Sequence, residues 1–358
     1  MTGRERVWRI FNRQPVDRVG LYEQLWDGTF KKYEAEGKLT GGIPALADRF
    51  GLDIMYTGGI NYEADPTHGL KIIAQDERSI TYLDGNGATM RFNTLQDGVY
   101  EHIGYQIKCR EDWERLIKPR LTPTENRLAV EYYRESRRQA AENGRFLAFY
   151  SSNTFSFLTA LLGHEDGLLA MAEDPDWVLD MTLTYAELQC QLQEKLFEAE
   201  GWPDCLWYTE DLGYKFTPFM SPAMFRELIL PGYRKTFAQC HAHGCKVVLH
   251  SCGFMEPMIP DLLDAGLDAL QAMEVKAGMD AVRIKETYGD RLVLIGGLDA
   301  RVLESNDLSA VTALLEEKLP RLMEGGGYIL HSDHSISPRV EYETLAHFLT
   351  LGSQIGTY

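Results

Sequence analysis

The second half of the sequence alternates short apolar runs with longer helix-like segments, and this alternation restricts the fold more than any other feature. Four runs rich in β-forming residues end in polar or glycine-containing sequence: CLWYTEDLG, KVVLHSCG, LVLIGGLD and YILHSDH. Continuous apolar runs of this length are typical of strands that are buried on both faces. One intervening helix begins at Ser221-Pro222, a cap followed by proline at the first helical position, and contains Pro231, which should kink or split it. A repeated strand–helix order predicts a parallel sheet.

The first half has weaker signals. RVGLYEQLW and LDIMYTGG predict the first two strands, and RFLAFYSSN predicts a further parallel strand. ITYLDGNGATMRFN alternates around an Asp-Gly turn signal, so we expect an inserted β-hairpin around residues 78–94. About eight core strands result, which predicts an α/β protein with a (β/α)8 TIM barrel. An open, doubly wound sheet is the alternative, and we expect residues 1–358 to form one barrel domain because no linker or repeat interrupts them.

Charge and cysteine content exclude several classes of function. The formal net charge is −17, and a surface this acidic repels nucleic acid and anionic lipid. The six cysteines form no CxxC pair and the charged start resembles no secretion signal, so we expect reduced thiols in the cytoplasm. No apolar run approaches the length of a membrane span, and GGLD lacks the G-x-G-x-x-G pattern of dinucleotide sites. The sequence is compatible with a homodimer.

The strongest chemical signal is the pair His250 and Cys252, which lie two residues apart at the end of a predicted strand. Side chains at this spacing share a face, and at the C-terminal end of a barrel strand that face opens into the active site. Adjacent nitrogen and sulfur donors suit zinc, and His334 after the last strand is the expected third ligand, with one position left open. The alternatives are a core histidine beside a small buried cysteine, or acid/base groups that act without a metal.

Other polar and aromatic residues lie near predicted strand ends. Of two adjacent carboxylates, we expect Glu210 in the pocket as a metal ligand or general base, while Asp211 caps the next turn or pairs with Lys215. His331 and Asp333 are candidate acid/base groups at the end of the last strand. The expected substrate-binding residues are Tyr22, Trp26, Tyr150, Asn153, Tyr208 and Glu274. Aromatic walls suit a planar or apolar ligand, and ordinary core packing is the alternative explanation for each ring.

Together these segments resemble the uroporphyrinogen decarboxylase superfamily, which includes zinc-dependent methyltransferases that act with corrinoid proteins. The resemblance runs from VDRVGL through TEDLGYK, SPAMFREL, HSCG, GLDAL and GGLD to HSDHSISP. H-x-C on the fifth strand is similar to the methyltransferase branch, in which this pair and a cysteine on the last strand hold zinc. Counting back from Pro338 places His334 at the position of that cysteine, so a histidine replaces a thiolate.

The resemblance implies a methyltransferase rather than a tetrapyrrole decarboxylase. The true decarboxylases carry an arginine-rich segment after the first strand that holds substrate carboxylates, whereas LYEQLWDGTF contains no arginine. Zn²⁺ would activate the atom that carries or receives the methyl group, and a corrinoid (cobalamin) on a partner protein would exchange it with a small compound. A methoxy-aromatic, and hence O-demethylation, fits the aromatic residues. The alternatives are a metal-free lyase that decarboxylates a small acid or porphyrinogen-like substrate with His334 or Asp333 as proton donor, and a non-catalytic ligand-binding barrel.

Overall fold

The computed structural model describes residues 1–69, 71–93 and 101–358. Eight parallel strands form one sheet that is rolled nearly closed into a (β/α)8 barrel, which confirms the predicted fold, and their sequential order is not that of a doubly wound sheet. The strands are β1 (Gly20–Leu21), β2 (Ile54–Thr57), β3 (Phe146–Ser152), β4 (Cys205–Glu210), β5 (Lys246–Ser251), β6 (Ala269–Ala272), β7 (Val293–Gly296) and β8 (Tyr328–Leu330). From β2 to β8 each strand pairs with the next along the chain, and β8 returns to pair with β1.

The barrel closes between β1 and β2 through an aspartate rather than through a strand ladder. Asp53 N donates to Leu21 O at 2.8 Å, and Asp53 Oδ2 accepts from Leu21 N at 2.8 Å. The same buried carboxylate pairs with Arg6 at 2.6 Å and with Arg18 at 2.8 Å. Because an isolated buried charge is costly, the two guanidinium groups make this arrangement tolerable. We refer to this junction as the β1–β2 seam.

Helices surround the barrel in the order that the sequence pattern predicts. The longer helices are Gly3–Phe11, Asp27–Ala35, Gly42–Phe50, Val130–Glu142, Thr154–Glu173, Pro175–Glu200, Leu230–Ala242, Ile259–Ala265, Ala281–Tyr288, Leu308–Met323 and Tyr342–Ile355. The short helical segments are Arg110–Asp112, Trp113–Ile117, Lys118–Arg120, Glu125–Arg127, Pro222–Met224, Phe225–Ile229, Glu256–Met258, Val275–Ala277 and Ala300–Glu304. Pro231 lacks an amide proton, and the helix that Ser221 caps is split just before it, after a π-helical turn. Within the described ranges, no helix combines the length and the apolar character that a membrane crossing requires.

A second sheet is inserted between β2 and β3, and it is larger than the hairpin expected from the sequence. Four antiparallel strands follow one another in space as in the chain: Lys71–Gln75, Ser79–Leu83, Thr89–Asn93 and Glu101–Gly104. The middle two strands form the expected hairpin, of which residue 94 lies outside the described residues. Asp84 holds the turn by accepting from Asn86 N at 3.0 Å and Ala88 N at 2.7 Å. A lone two-stranded hairpin is marginally stable, so the outer strands supply the additional pairing.

Side chains alternate between the barrel interior and the outer layer along each strand. On β4, Cys205 and Trp207 point into the barrel, whereas Leu206 and Tyr208 pack in the layer between the barrel and the helices. The interior cluster is completed by Tyr22, just after β1, and by apolar residues from the other strands, including Ile54, Phe146, Ala148, Val248, Ala269, Val293, Ile295 and Ile329. This alternation decides which residues just beyond the strand ends can reach the mouth of the barrel.

Candidate functional site

A cavity of about 400 Å³ lies at the C-terminal ends of the barrel strands. We call it the mouth cavity, and it is lined by Gln24, Trp26, Tyr56, Tyr150, Trp207, Thr209, Asp211, His250, Cys252, Gln271, His334 and Ser335. The structure therefore brings the expected ligands His250, Cys252 and His334 to one cavity on the same face of the barrel. Trp26 and Tyr150 lie in its wall as expected, and Tyr56 and Trp207 are two further aromatic residues that the sequence analysis did not select.

Three potential metal-binding side chains form a compact donor cluster in the wall of the mouth cavity. One atom each from His250, Cys252 and Asp211 lie within 4.8 Å of one another. His250 Nε2 is 3.4 Å from Cys252 Sγ and 3.9 Å from Asp211 Oδ1. Cys252 N also donates to Asp211 Oδ1 at 3.1 Å, which holds the carboxylate beside the thiol. Asp211, which the sequence analysis assigned to a turn or to Lys215, is therefore the third member of this cluster.

His334 lies in the same cavity but outside the compact donor cluster. Its ring centroid is 5.7 Å from that of Trp26, and its Nδ1 lies 3.5 Å from Ser335 O. The compact donor cluster thus contains Asp211 beside His250 and Cys252, because Asp211 follows Thr209 on the inward face of β4, and the expected ligand His334 lies farther away in the same cavity. The alternation of inward and outward side chains along β4 was the sequence signal that could have predicted the inward position of Asp211.

The donor cluster fits a zinc ion by its chemistry. Burial lowers the pKa of His250, so the imidazole is in the neutral form that binds metals. Burial, followed by the charges of Asp211 and Glu274, raises the pKa of the Cys252 thiol. A thiolate at this place therefore needs a nearby cation, and a nitrogen, a sulfur and an oxygen donor form a set that zinc accepts.

Glu210 does not enter the mouth cavity, contrary to the expectation that it acts there as ligand or base. Its buried carboxylate accepts from Asn153 N at 2.6 Å and from Phe155 N at 3.0 Å, at the start of helix Thr154–Glu173. Tyr233 Oη donates to it at 2.5 Å. Burial raises the pKa of Glu210 to about 7. The carboxylate thus anchors the N-terminus of a helix, where negative charge and unpaired N–H groups are complementary.

Three expected substrate-binding residues also lie away from the mouth cavity. The buried Asn153 caps the helix that follows β3 with its own side chain. Tyr208 packs outwards, with its ring centroid 5.8 Å from that of Phe237. Tyr22 is buried inside the barrel and stacks on Tyr56 at 5.5 Å. Asn153 and Tyr208 lie on the outward face of their strands, whereas Tyr22 points inward but packs below the cavity.

The two candidate acid/base residues after β8 are held in buried hydrogen bonds. His331 is fully buried with Nε2 3.3 Å from Glu23 Oε1, and it does not line the mouth cavity. Burial lowers the pKa of His331 to about 3 and raises that of Glu23 to about 8. Asp333 accepts from Val275 N and Ala300 N at 2.8 Å each, and it borders a neighbouring cavity of about 330 Å³. Neither residue is placed to exchange protons within the mouth cavity.

A larger cavity, of about 660 Å³, shares Asp211 and Cys252 with the mouth cavity. Glu274 borders this second cavity, where it accepts from a main-chain amide and pairs with Lys276 at 2.8 Å. Phe216 forms part of an aromatic wall and is 71% exposed, with a left-handed φ of 60°. The donor cluster is therefore reachable from two cavities that meet at Cys252.

The rolled sheet defines a (β/α)8-barrel protein. Polar residues gather at the C-terminal ends of its strands, which is where the active sites of such barrels lie. The family model described as uroporphyrinogen decarboxylase (URO-D) matches residues 107–354, and the chain belongs to this family. Its fold is similar to that of a methyltransferase from Methanosarcina mazei, at 16% identity and a TM-score of 0.70 over 99% of both chains. The β-glycosidase from the hyperthermophile Thermosphaera aggregans is a more distant likeness, at 12% identity and a TM-score of 0.46, covering 96% of this chain and 97% of that one. No curated protein sequence matches the chain.

Proposed function

We propose that the protein is a zinc-dependent methyltransferase that moves a methyl group between a small methylated compound and a corrinoid carried by a partner protein. The observation that carries this proposal is the convergence of donor atoms from His250, Cys252 and Asp211 within 4.8 Å at the barrel mouth. The family includes decarboxylases by name, but nitrogen, sulfur and carboxylate donors in one cluster favour metal-assisted chemistry. The shared fold with a methyltransferase over 99% of both chains supports the same choice.

Each of these side chains has a defined task in the proposed reaction. His250, Cys252 and Asp211 would hold the ion, which supplies Lewis acidity to the atom that carries or receives the methyl group. Cys252 and Asp211 also separate the mouth cavity from the second cavity. Two reactants can therefore reach the same point from different sides, as the transfer of a group between two molecules requires. In the demethylation direction a reduced corrinoid on the partner protein would supply the methyl acceptor, and the electron pair of the broken bond would remain on the donor atom of the small compound.

The lining of the mouth cavity favours a substrate without carboxylates. Four aromatic residues contribute to its wall: Trp26, Tyr56, Tyr150 and Trp207. Among the residues described around the cavity there is no lysine or arginine. Buried carboxylates require paired cations, so a polyanionic tetrapyrrole is poorly matched. A flat, uncharged ring such as a methoxy-aromatic suits both the aromatic surface and the volume of about 400 Å³.

Metal binding is the first test of this proposal. Zinc affinity is measured for the unmodified protein, for Cys252→Ser and for Cys109→Ser, which alters an exposed thiol away from the site. Loss of the sulfur donor should weaken zinc binding by more than the ~10–100-fold that is typical when a residue that hydrogen bonds to a metal ligand is replaced. The control should bind zinc like the unmodified protein. If Cys252→Ser binds zinc as tightly as the unmodified protein, the Cys252 thiolate is not a zinc ligand.

The reaction class is tested with reduced corrinoid and a panel of O-, N- and S-methyl donors. We expect methylation of cobalt, seen in its absorption spectrum, with the unmodified protein and a loss of this activity in Cys252→Ser. A parallel assay measures CO₂ release from uroporphyrinogen. Decarboxylation without methyl transfer would favour the competing lyase function, in which His334 is the proton donor that lines the cavity. Absence of both reactions with every corrinoid partner would favour a ligand-binding barrel.

A further inference from the structure

A row of buried hydrogen bonds leads from the main chain after β8 to the donor cluster. It starts where Nδ1 of the fully buried His331 hydrogen bonds to the carbonyl oxygen of Ser332. A carbonyl oxygen can only accept, so the His331 proton is on Nδ1. Burial lowers the pKa of His331 to about 3, and the ring is neutral at ordinary pH. The other ring nitrogen, Nε2, therefore carries a lone pair and must accept.

Gln271 occupies the next place in this row and is buried on β6, directly opposite His250 in the ladder with β5. Its Nε2 lies 3.5 Å from His331 Nε2, and its Oε1 hydrogen bonds to His250 Nδ1. Because His331 Nε2 accepts, the NH₂ end of the amide belongs at His331 and the carbonyl end at His250. The reversed amide would place two acceptors against each other at His331.

Glu23 approaches the same histidine nitrogen and is consistent with this assignment. Its Oε1 is 3.3 Å from His331 Nε2, and burial raises its pKa to about 8. At neutral pH the carboxyl group is therefore mostly protonated and acts as a second donor towards His331 Nε2. Gln271 and Glu23, the two side chains at this nitrogen, can therefore both donate to it.

We propose that Gln271 is a positioning residue that sets the tautomer of His250. The amide oxygen can only accept, so it holds the His250 proton on Nδ1 and leaves Nε2 unprotonated, 3.4 Å from Cys252 Sγ. The hydrogen bond at one imidazole nitrogen determines which nitrogen is free to bind a metal. This inference rests on the proposed metal site. It explains why the unprotonated nitrogen of His250 faces the donor cluster.

The tautomer is measured first, on the metal-free protein, so that the result does not depend on zinc binding or on methyl transfer. Long-range ¹H–¹⁵N correlation spectra of ¹⁵N-histidine-labelled protein distinguish the two neutral tautomers, and the His250→Gln variant assigns the signal. We expect a proton on Nδ1 in the unmodified protein and a population with a proton on Nε2 in Gln271→Leu. The control is Gln24→Leu, which removes another glutamine of the mouth cavity and should leave the tautomer unchanged. A proton on Nε2 in the unmodified protein, or no change in Gln271→Leu, overturns the proposal.

The effect on metal binding is measured second, with Zn²⁺ alone. Gln271→Leu should weaken zinc affinity by about 10–100-fold, and Gln24→Leu should leave it within about twofold. Gln271→Glu should restore most of the affinity, because a carboxyl oxygen at this position can also accept from His250 Nδ1. His331→Phe keeps a ring that can stack on Tyr22, but it removes the acceptor that fixes the orientation of the Gln271 amide. A smaller loss of zinc affinity is therefore expected. A changed tautomer with unchanged zinc affinity in Gln271→Leu would show that Gln271 does not position a metal ligand.

Discussion

The outward and inward faces of the barrel strands use the same kinds of polar residue for different purposes. Glu210 and Asp211 are adjacent in sequence, yet Glu210 is 1% exposed and anchors the helix after β3. The Asp211 side chain is 58% exposed and approaches His250 in the mouth cavity. A carboxylate at a strand end therefore says little about function until the face on which it lies is known.

Glu23 is, like Glu210, a buried carboxylate that holds the main chain and does not line the mouth cavity. It accepts from Ser332 N and from Ser332 Oγ at 3.0 Å each, and so ties the segment after β1 to the end of β8. Burial raises the pKa of both glutamates because it disfavours the charged carboxylate. Replacement of these two main-chain anchors should chiefly affect stability, and replacement of residues in the donor cluster should chiefly affect metal binding.

The largest effect is expected for Glu23, through the dependence of stability on pH. The pKa of its carboxyl group rises from 4.5 to about 8 on folding, so the unfolded chain releases a proton that the folded protein retains. Stability is lost as pH rises from 4.5 towards 8, by about 5 kcal/mol at most. Glu23→Gln cannot ionise and should therefore become more stable relative to the unmodified protein across this window. Urea unfolding at several pH values measures the difference, with the exposed Glu316→Gln as control. A difference that does not vary with pH would contradict the protonated, buried carboxyl group.

A smaller but still large effect is expected from removal of the other buried carboxylate. Glu210→Ala leaves the donors Asn153 N, Phe155 N and Tyr233 Oη without their partner in a buried place. Each orphaned buried donor is costly, and the free energy of unfolding should fall by about 3 kcal/mol or more. Zinc affinity should change little, because the side chain points away from the donor cluster. Loss of zinc binding without loss of stability would contradict this expectation and would indicate that Glu210 is part of the metal site.

The smallest effect separates Asp211 from His334 as the third ligand. Asp211→Ala should weaken zinc binding about 100-fold, equivalent to about 2.7 kcal/mol, and leave the free energy of unfolding almost unchanged. His334→Ala should have a weaker effect on zinc affinity, because its ring lies outside the compact donor cluster. The opposite order of the two variants would support the trio of His250, Cys252 and His334 that the sequence predicts.

Strand order and the convergence of the candidate site residues could be predicted because both depend on local patterns. Apolar runs that end in polar residues identify strands and their C-terminal ends, which brought His250, Cys252 and His334 to one cavity. The choice of face was harder, since a shift of one residue turns every side chain to the other side. Tyr208 and Glu210 were both chosen one residue away from the inward positions.

Two further features could not be predicted because they depend on partners that are distant in sequence. Gln271 becomes significant only when β5 and β6 pair in the register that places it beside His250. The outer strands of the inserted sheet, Lys71–Gln75 and Glu101–Gly104, lack a buried face that alternation could reveal. Pairing with their neighbours, rather than an apolar pattern, defines them.

The β1–β2 seam divides the wall of the mouth cavity into two groups. In the described part of the chain, β1 and β2 share no ladder and meet through Asp53 N and Leu21 O near the opposite end of the barrel. The segment after β1 is instead bonded to the β8 side, where Trp26 N donates to Ile336 O at 3.1 Å. Tyr56 lies across the seam on β2. Topologically the barrel is a rolled ribbon whose two edge strands, β1 and β2, are joined at Asp53 rather than by a ladder. The ladders between β4, β5 and β6, which carry the donor cluster, lie away from this junction, so the frame of the cluster does not depend on how the two edge strands meet.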